Sequence, residues 1–215
     1  MLLKRTCIAL AMLSLAGCGK KGALANPGPD QAVVPAIPLY TVPLAGEKVT
    51  VLPLSLILAE RPLSTEAPFT DRIGALRWCD SLLAYALENR APDVSWVLPA
   101  ELRRIARRAP GVAPDPDRMG QSVMGAPKLD FMPDPLRSYA RSMVALAGGR
   151  MLLIPAAASF TPVAAGIRTD FSIVMADARN GRVIWRSLAV GQGATAEAAM
   201  EAALKTMLPL PTDGQ

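Results

Sequence analysis

Apolar and polar positions alternate most regularly near the end of the chain. Ile167, Thr169, Phe171, Ile173 and Met175 fall on one face of a period-two pattern, as in a half-buried strand. Residues 182–190 read as its antiparallel partner, and Asn180-Gly181 between them predicts a tight turn with positive backbone angles. Residues 151–160 form an almost unbroken apolar run, which predicts a buried strand that enters the hairpin through a loop at 161–166. Two shorter β-branched segments, 49–54 (ended near Pro53) and 94–98, predict two more strands.

The remaining pattern is helical. Thr70 predicts a cap, with Asp71 in the first turn, for a helix to about Arg90 whose apolar face is Ile73, Leu76, Leu83 and Leu87. Pro99 opens a helix over 99–109, and a short one is expected near 117–124. Asp134-Pro135 starts a helix carrying Leu136, Tyr139, Met143, Val144 and Ala147, which Gly148-Gly149 ends. Thr195 caps a last amphipathic helix to about Leu208. The order β-α-β-α-α-β-β-β-α predicts an α/β (α+β) fold. Its mixed sheet of about five strands has parallel crossovers at the front, an antiparallel hairpin at the back and helices packed against it.

The first residues follow another rule. A basic start (Lys4, Arg5), an apolar run over 7–15 and Leu15-Ala16-Gly17-Cys18 match a secretory signal with small residues before its cleavage site. The run is too short to span a bilayer, which takes roughly 20 residues. A Cys directly after Ala16-Gly17 resembles the bacterial lipoprotein pattern, which implies acylation of Cys18 and attachment to a membrane through more than one chain. Gly19 follows Cys18, so the outer membrane facing the periplasm is the expected address, with the inner membrane and the cell surface left open. Residues 1–17 are thus expected to be signal, 18–47 an acylated Pro-rich tether and 48–215 a single α/β domain. A flexible tether of that length spans roughly 30 Å, and an extended one up to about 90 Å. Lys20 and Lys21 stand where they could meet anionic headgroups.

Composition narrows the chemistry. The formal net charge of +5 falls to +3 once Lys4 and Arg5 leave with the signal, which is too mild for a dedicated nucleic-acid binder. The chain has no His, and that excludes Ser-His and Cys-His catalysis, His-ligated zinc and His pH switching. With Cys7 in the signal and Cys18 lipidated, Cys79 alone is left, so no intrachain disulfide forms. Cys79 reads as a small buried hydrophobe or as a reactive thiol. No cofactor and no metal set is expected. Asp115, Asp117, Asp130 and Asp134 lie in Pro-rich loops, where turns and caps account for them.

Arg103, Arg104, Arg107 and Arg108 form the densest charge cluster, opposite Leu102, Ile105 and Ala106 on the same helix. They read as a solvated face or as a patch for an anionic partner, which guanidinium forks suit. Gly191-Gln192-Gly193 lacks the third glycine or Lys of a phosphate loop and reads as a flexible turn. Trp78, Trp96 and Trp185 are expected in the core or half-buried against the sheet.

Taken together, the Val-rich first strand, Trp96-Val97-Leu98-Pro99-Ala100-Glu101-Leu102, the strand at Met151, and the hairpin Asp177-Ala178-Arg179-Asn180-Gly181-Arg182-Val183-Ile184-Trp185 resemble a known α/β domain. It is shared by the amino-terminal part of TolB, CsgG and the penicillin-binding-protein activator lipoproteins. The resemblance runs from Lys48 to Leu208, without the membrane-inserting hairpins of CsgG and without room for the TolB propeller. It implies a domain that binds and assembles and carries no catalytic residues. The expected function is a non-enzymatic accessory of an envelope complex with an envelope protein partner. The alternatives are a subunit of a secretion channel or a small hydrolase using Cys79 or a carboxylate pair.

Overall fold

The computed structural model of the protein describes residues 36–210. The signal residues Leu15, Ala16 and Gly17, the acylation site Cys18, and Lys20 and Lys21 lie outside the described residues.

Three long strands form the frame: β4 (Met151–Val163), β5 (Gly166–Asp177) and β6 (Val183–Gly193). They run antiparallel in sequence order. On the far side of β4 lie β1 (Lys48–Val51) and β3 (Ser95–Val97), both parallel to their neighbours, in the order β3-β1-β4-β5-β6. The expected combination of parallel front and antiparallel back is present, in a mixed six-stranded sheet.

The sixth strand is β2 (Ile57–Ala59), a segment with no strand expectation, which pairs parallel with the distal half of β4. Its origin is Pro53. After β1 the chain leaves the ladder at Pro53 and rejoins the same edge of β4 four residues later. β4 breaks register at the same level, between Pro155 and Ala157. Pro155 has no N–H to give to a ladder, so a bulge is where a central strand accommodates it. An added residue exchanges the two faces. Before the bulge Leu152 and Ile154 face one core, while beyond it Ala158 and Phe160 face the other.

Helices cover both faces. α1 (Arg72–Arg90) and α4 (Ala196–Met207) pack with Val49, Val51, Leu153, Phe160, Phe171 and Ile173. α2 (Pro99–Arg108) and α3 (Leu136–Ala147) pack with Leu52, Leu152, Ile154 and Val174. Two 3-10 turns, Pro116–Arg118 and Gln121–Gly125, join α2 to α3, and Met119 and Met124 seal that second core.

Several local expectations need correction. Asp71, not Thr70, caps α1: its carboxylate accepts the Ile73 and Gly74 N–H groups, each at 3.0 Å. Ile73 is 59% exposed, because the buried stripe of α1 runs instead through Ala75, Cys79, Leu83 and Leu87. Asp134 makes no cap bond to α3, and Tyr139 points outward while Ala140 takes the buried position. Residues 161–166 are not a loop, since β4 and β5 join by a tight turn at Ala164-Ala165. Between β5 and β6 only Gly181 has a positive φ (78°), because the Asp177 and Asn180 side chains close the turn on the N–H groups of Arg179 and Arg182.

Residues 36–47, assigned to the tether by composition, pack on the domain. Leu39 and Leu44 are buried in the α1/α4 core, the Leu39 N–H donates to Met207 O (2.8 Å), and the Trp185 indole donates to Pro38 O (3.1 Å). All three tryptophans are half-buried as expected. Trp96 donates to Ala91 O, and Trp78 packs against Phe69 and Phe160.

Candidate functional site

The site grows from one charged residue inside a buried stripe. Asp80 lies on the inner side of α1, 4% exposed, between Cys79 and the packing of Leu83. An ionised carboxylate there requires partners. It has two: the Leu54 N–H, just past the end of β1, donates to Oδ1 at 2.8 Å, and Arg103 Nη2 on α2 donates to Oδ2 at 2.6 Å. Arg103 also forks onto Asp117, with Nε at 3.0 Å from both carboxylate oxygens and Nη2 at 2.7 Å from Oδ1. One guanidinium thus clamps α1, the end of β1 and the Pro116–Arg118 turn together.

Burial pushes the Asp80 carboxyl up to about 6, against the stabilising pull of the Leu54 N–H and Arg103. Burial would lower the Arg103 guanidinium, but Asp117 and Asp80 outweigh it and raise it. Gln121, fully buried, completes the plug: its Nε2 donates to the carbonyls of Pro53 (2.8 Å) and Pro116 (3.0 Å). Open α/β sheets commonly take ligands outside the carboxyl ends of their parallel strands. Here the Asp80 and Gln121 side chains occupy the end of β1, through the Leu54 N–H and the Pro53 carbonyl.

The clamp opens outward into a cavity of about 310 Å³ lined by Arg77, Arg103, Ala106, Arg107, Ala113, Pro114, Asp115, Pro116 and Asp117. Of the four arginines expected as a patch, the structure divides one from three. Arg103 is drawn inward, with 14% of its side chain exposed. Arg104, Arg107 and Arg108 stand exposed, and none is in an ion pair among the described residues. Arg77 on α1 joins Arg107 at the cavity. On α3, Arg137 pairs with Asp134 (3.2 Å), whereas Arg141 is exposed and holds no ion pair among the described residues.

Sequence reasoning passed over Arg77, Asp80 and Arg141. Asp80 had a signal: it sits in register with Leu76, Leu83 and Leu87, where a lone acid in an apolar stripe calls for a buried cation. Nothing local marked Arg77, which needs α2 beside it to gain a meaning.

The other candidate residues are structural. Cys79 is 1% exposed, and burial first, then the Asp80 charge, drives its thiol far up the scale, away from a nucleophilic thiolate. A buried thiol held protonated does not suit the nucleophile that the hydrolase alternative needs. Gly191 and Gly193 let α4 close on β6: a Cβ at Gly191 would meet Ala199 O and Ala203 N at 2.2 Å. Asp115 turns its carboxylate onto the Asp117 N–H, while Asp130 is held by its main chain, whose carbonyl accepts from the Val183 N–H. No group of three or more His, Cys, Asp or Glu able to hold a metal occurs among the described residues, and none of their helices is long and apolar enough to cross a membrane.

No protein-family model and no curated protein matches the chain. Among solved structures it is similar to a PelC dodecamer from Paraburkholderia phytofirmans, at 17% identity over 82% of this chain and 94% of that one, with a TM-score of 0.40. It is also similar to the LpoB C-terminal domain from Salmonella enterica (15%, 69% and 84%, TM-score 0.38) and to lipoprotein GNA1162 from Neisseria meningitidis (13%, 69% and 82%, TM-score 0.36). The TolB and CsgG parts of the resemblance gain no support from these likenesses.

Proposed function

We propose that this protein is a lipid-anchored, periplasm-facing accessory of the bacterial envelope that binds an envelope partner through its α2/α3 layer and catalyses no reaction. The observation that carries the binding part is the exposure of Arg104, Arg107, Arg108 and Arg141 on that layer, with no carboxylate partner among the described residues. Guanidinium groups left open in this way suit bidentate contact with an anionic surface. The lipoprotein pattern ending at Cys18 supports the anchor, and Gly19 after it favours outer-membrane sorting.

Photocrosslinking residues placed at Arg108 and, on the opposite layer, at Glu197 test the surface in living cells. A discrete adduct from position 108 and none from 197 is expected, and the reverse pattern would overturn the assignment. Fractionation tests the anchor: the wild type sediments with outer membranes and Cys18→Ser does not, so a soluble wild type would refute it. A second reading, a subunit of a larger assembly, is favoured by the outer edge of β6. Beyond the Phe131–Arg182 bridge at its start, no strand pairs with that edge among the described residues, and Ile184 and Leu188 are exposed along it. Sedimentation of the purified chain as a ring-sized species would support it.

A further inference from the structure

We propose that the cavity between α1, α2 and the Ala113–Asp117 loop is a binding site for one oxyanion, a carboxylate or a phosphate, carried on a saccharide-sized group. The inference deepens the functional reading above and rests on it only in using α2. The cavity lining carries three cations and two carboxylates, and with Asp80 behind Arg103 the charges are even, so the capacity for an anion lies in which guanidinium groups hold no ion pair. Both oxygens of Asp117 face Arg103, and the Asp115 carboxylate is turned onto the Asp117 N–H. Arg103 is occupied in the same way, with its Nη2 shared between Asp80 and Asp117.

What remains are Arg77 and Arg107. They reach the same space from two helices, and neither has an ion pair among the described residues. Two guanidinium forks from different elements converge on a planar or tetrahedral oxyanion as one fork cannot. Ala106, Ala113, Pro114 and Pro116 supply apolar walls, which strengthen such contacts by lowering the local dielectric.

Position and rigidity agree. The cavity borders the clamp at the carboxyl end of β1, the side of an α/β sheet where ligands bind. Arg103 holds both of its arginine-bearing helices to the turn that forms the far wall, so the geometry exists before the ligand arrives. Its volume of about 310 Å³ is at the small end of ligand pockets. It suits one charged sugar-sized unit, free or as a repeat of an anionic glycan.

Calorimetric titration of the full-length purified protein with glucose 6-phosphate, glucuronate and neutral glucose tests the proposal at low salt. At least one of the two anions should bind, and glucose should not. Arg77→Gln and Arg107→Gln should each weaken that binding about tenfold, while Lys205→Gln on the opposite layer leaves it unchanged. Preference for glucose 6-phosphate identifies a phosphate site, and preference for glucuronate a carboxylate site. Neither arginine makes an ion pair among the described residues, so unchanged urea midpoints should accompany both losses. Equal binding of glucose, or full binding by both arginine variants, would overturn the site. Titration reads the cavity and crosslinking at position 108 reads the outer surface, so a failure of either is separable from the other.

Discussion

The two helical layers cover one sheet by different means. In α1 and α4 the four basic residues (Arg72, Arg77, Arg90, Lys205) meet four acids (Asp80, Glu88, Glu197, Glu201), so the layer is neutral. Its contact with the sheet is made close by small residues, with Ala199 and Ala203 set directly over Gly191. In α2 and α3 six arginines face a single acid, Glu101. That layer reaches the sheet through Leu102, Leu136, Ala140, Met143 and Val144 and turns its charge outward. One layer is therefore sealed by fit, while the other is left with charge that the fold itself does not use. Arg103 crosses between them as a half-buried clamp, ion-paired to Asp80.

Breaking that crossing should have the largest effect. Arg103→Met leaves Asp80 buried and unpaired, a change that costs about 4 kcal/mol. Asp80→Asn in the same chain should recover part of it, and urea unfolding of the two variants and the double variant measures the coupling. In the closely fitted layer, Gly191→Ala should cost about 3 kcal/mol, because backbone atoms stand on both sides of the new methyl group and cannot yield as a side chain would. Gly46→Ala, where nothing lies within 4 Å, meets no such clash and isolates the effect of crowding from that of backbone strain.

A smaller effect is expected from pH. Asp80 has its carboxyl raised from 3.8 to about 6. Between those values the folded protein keeps a proton that the unfolded chain has lost, so stability falls as pH rises through that window. Asp177 works the other way: the Arg150 hydrogen bond holds its carboxyl below the ordinary value, so its contribution is present at neutral pH and is lost in stronger acid. The urea midpoint of Asp80→Asn should lack the decline between pH 4 and 6 that the wild type shows. Smallest of all, Arg104→Gln and Arg108→Gln should move stability by less than about 0.5 kcal/mol. Their effect should appear instead as loss of the crosslinked partner.

Much of this frame was legible along the chain, and what was missed shares one cause. Although of the caps read from the sequence only Thr195 is in place, the strands β4, β5 and β6 and the helices α1 to α4 announce themselves by apolar patterning, prolines and glycines, since each buries a face and carries its pattern over ten or more residues. β2 did not, because three residues carry no period, and its pairing depends on a bulge in β4 more than ninety residues away. Ile73 and Tyr139 were given to apolar faces by spacing alone. In the structure Ala75 and Ala140 hold the buried positions, because small residues let the helices approach the sheet.

The charge cluster on α2 shows the same division. Its density and its helical placement follow from residues 101–108 alone, as does the exclusion of histidine chemistry. That Arg103 is structural while Arg107 is free depends on Asp80 and Asp117, acids 23 and 14 residues distant. By itself the sequence determined the strand and helix periods, the expected anchor at Cys18 and the supply of arginines. Tertiary structure alone decided which of those arginines are neutralised and which are left facing a cavity. Ion pairing depends on separation in space, and a linear pattern contains that separation only between neighbours on one element.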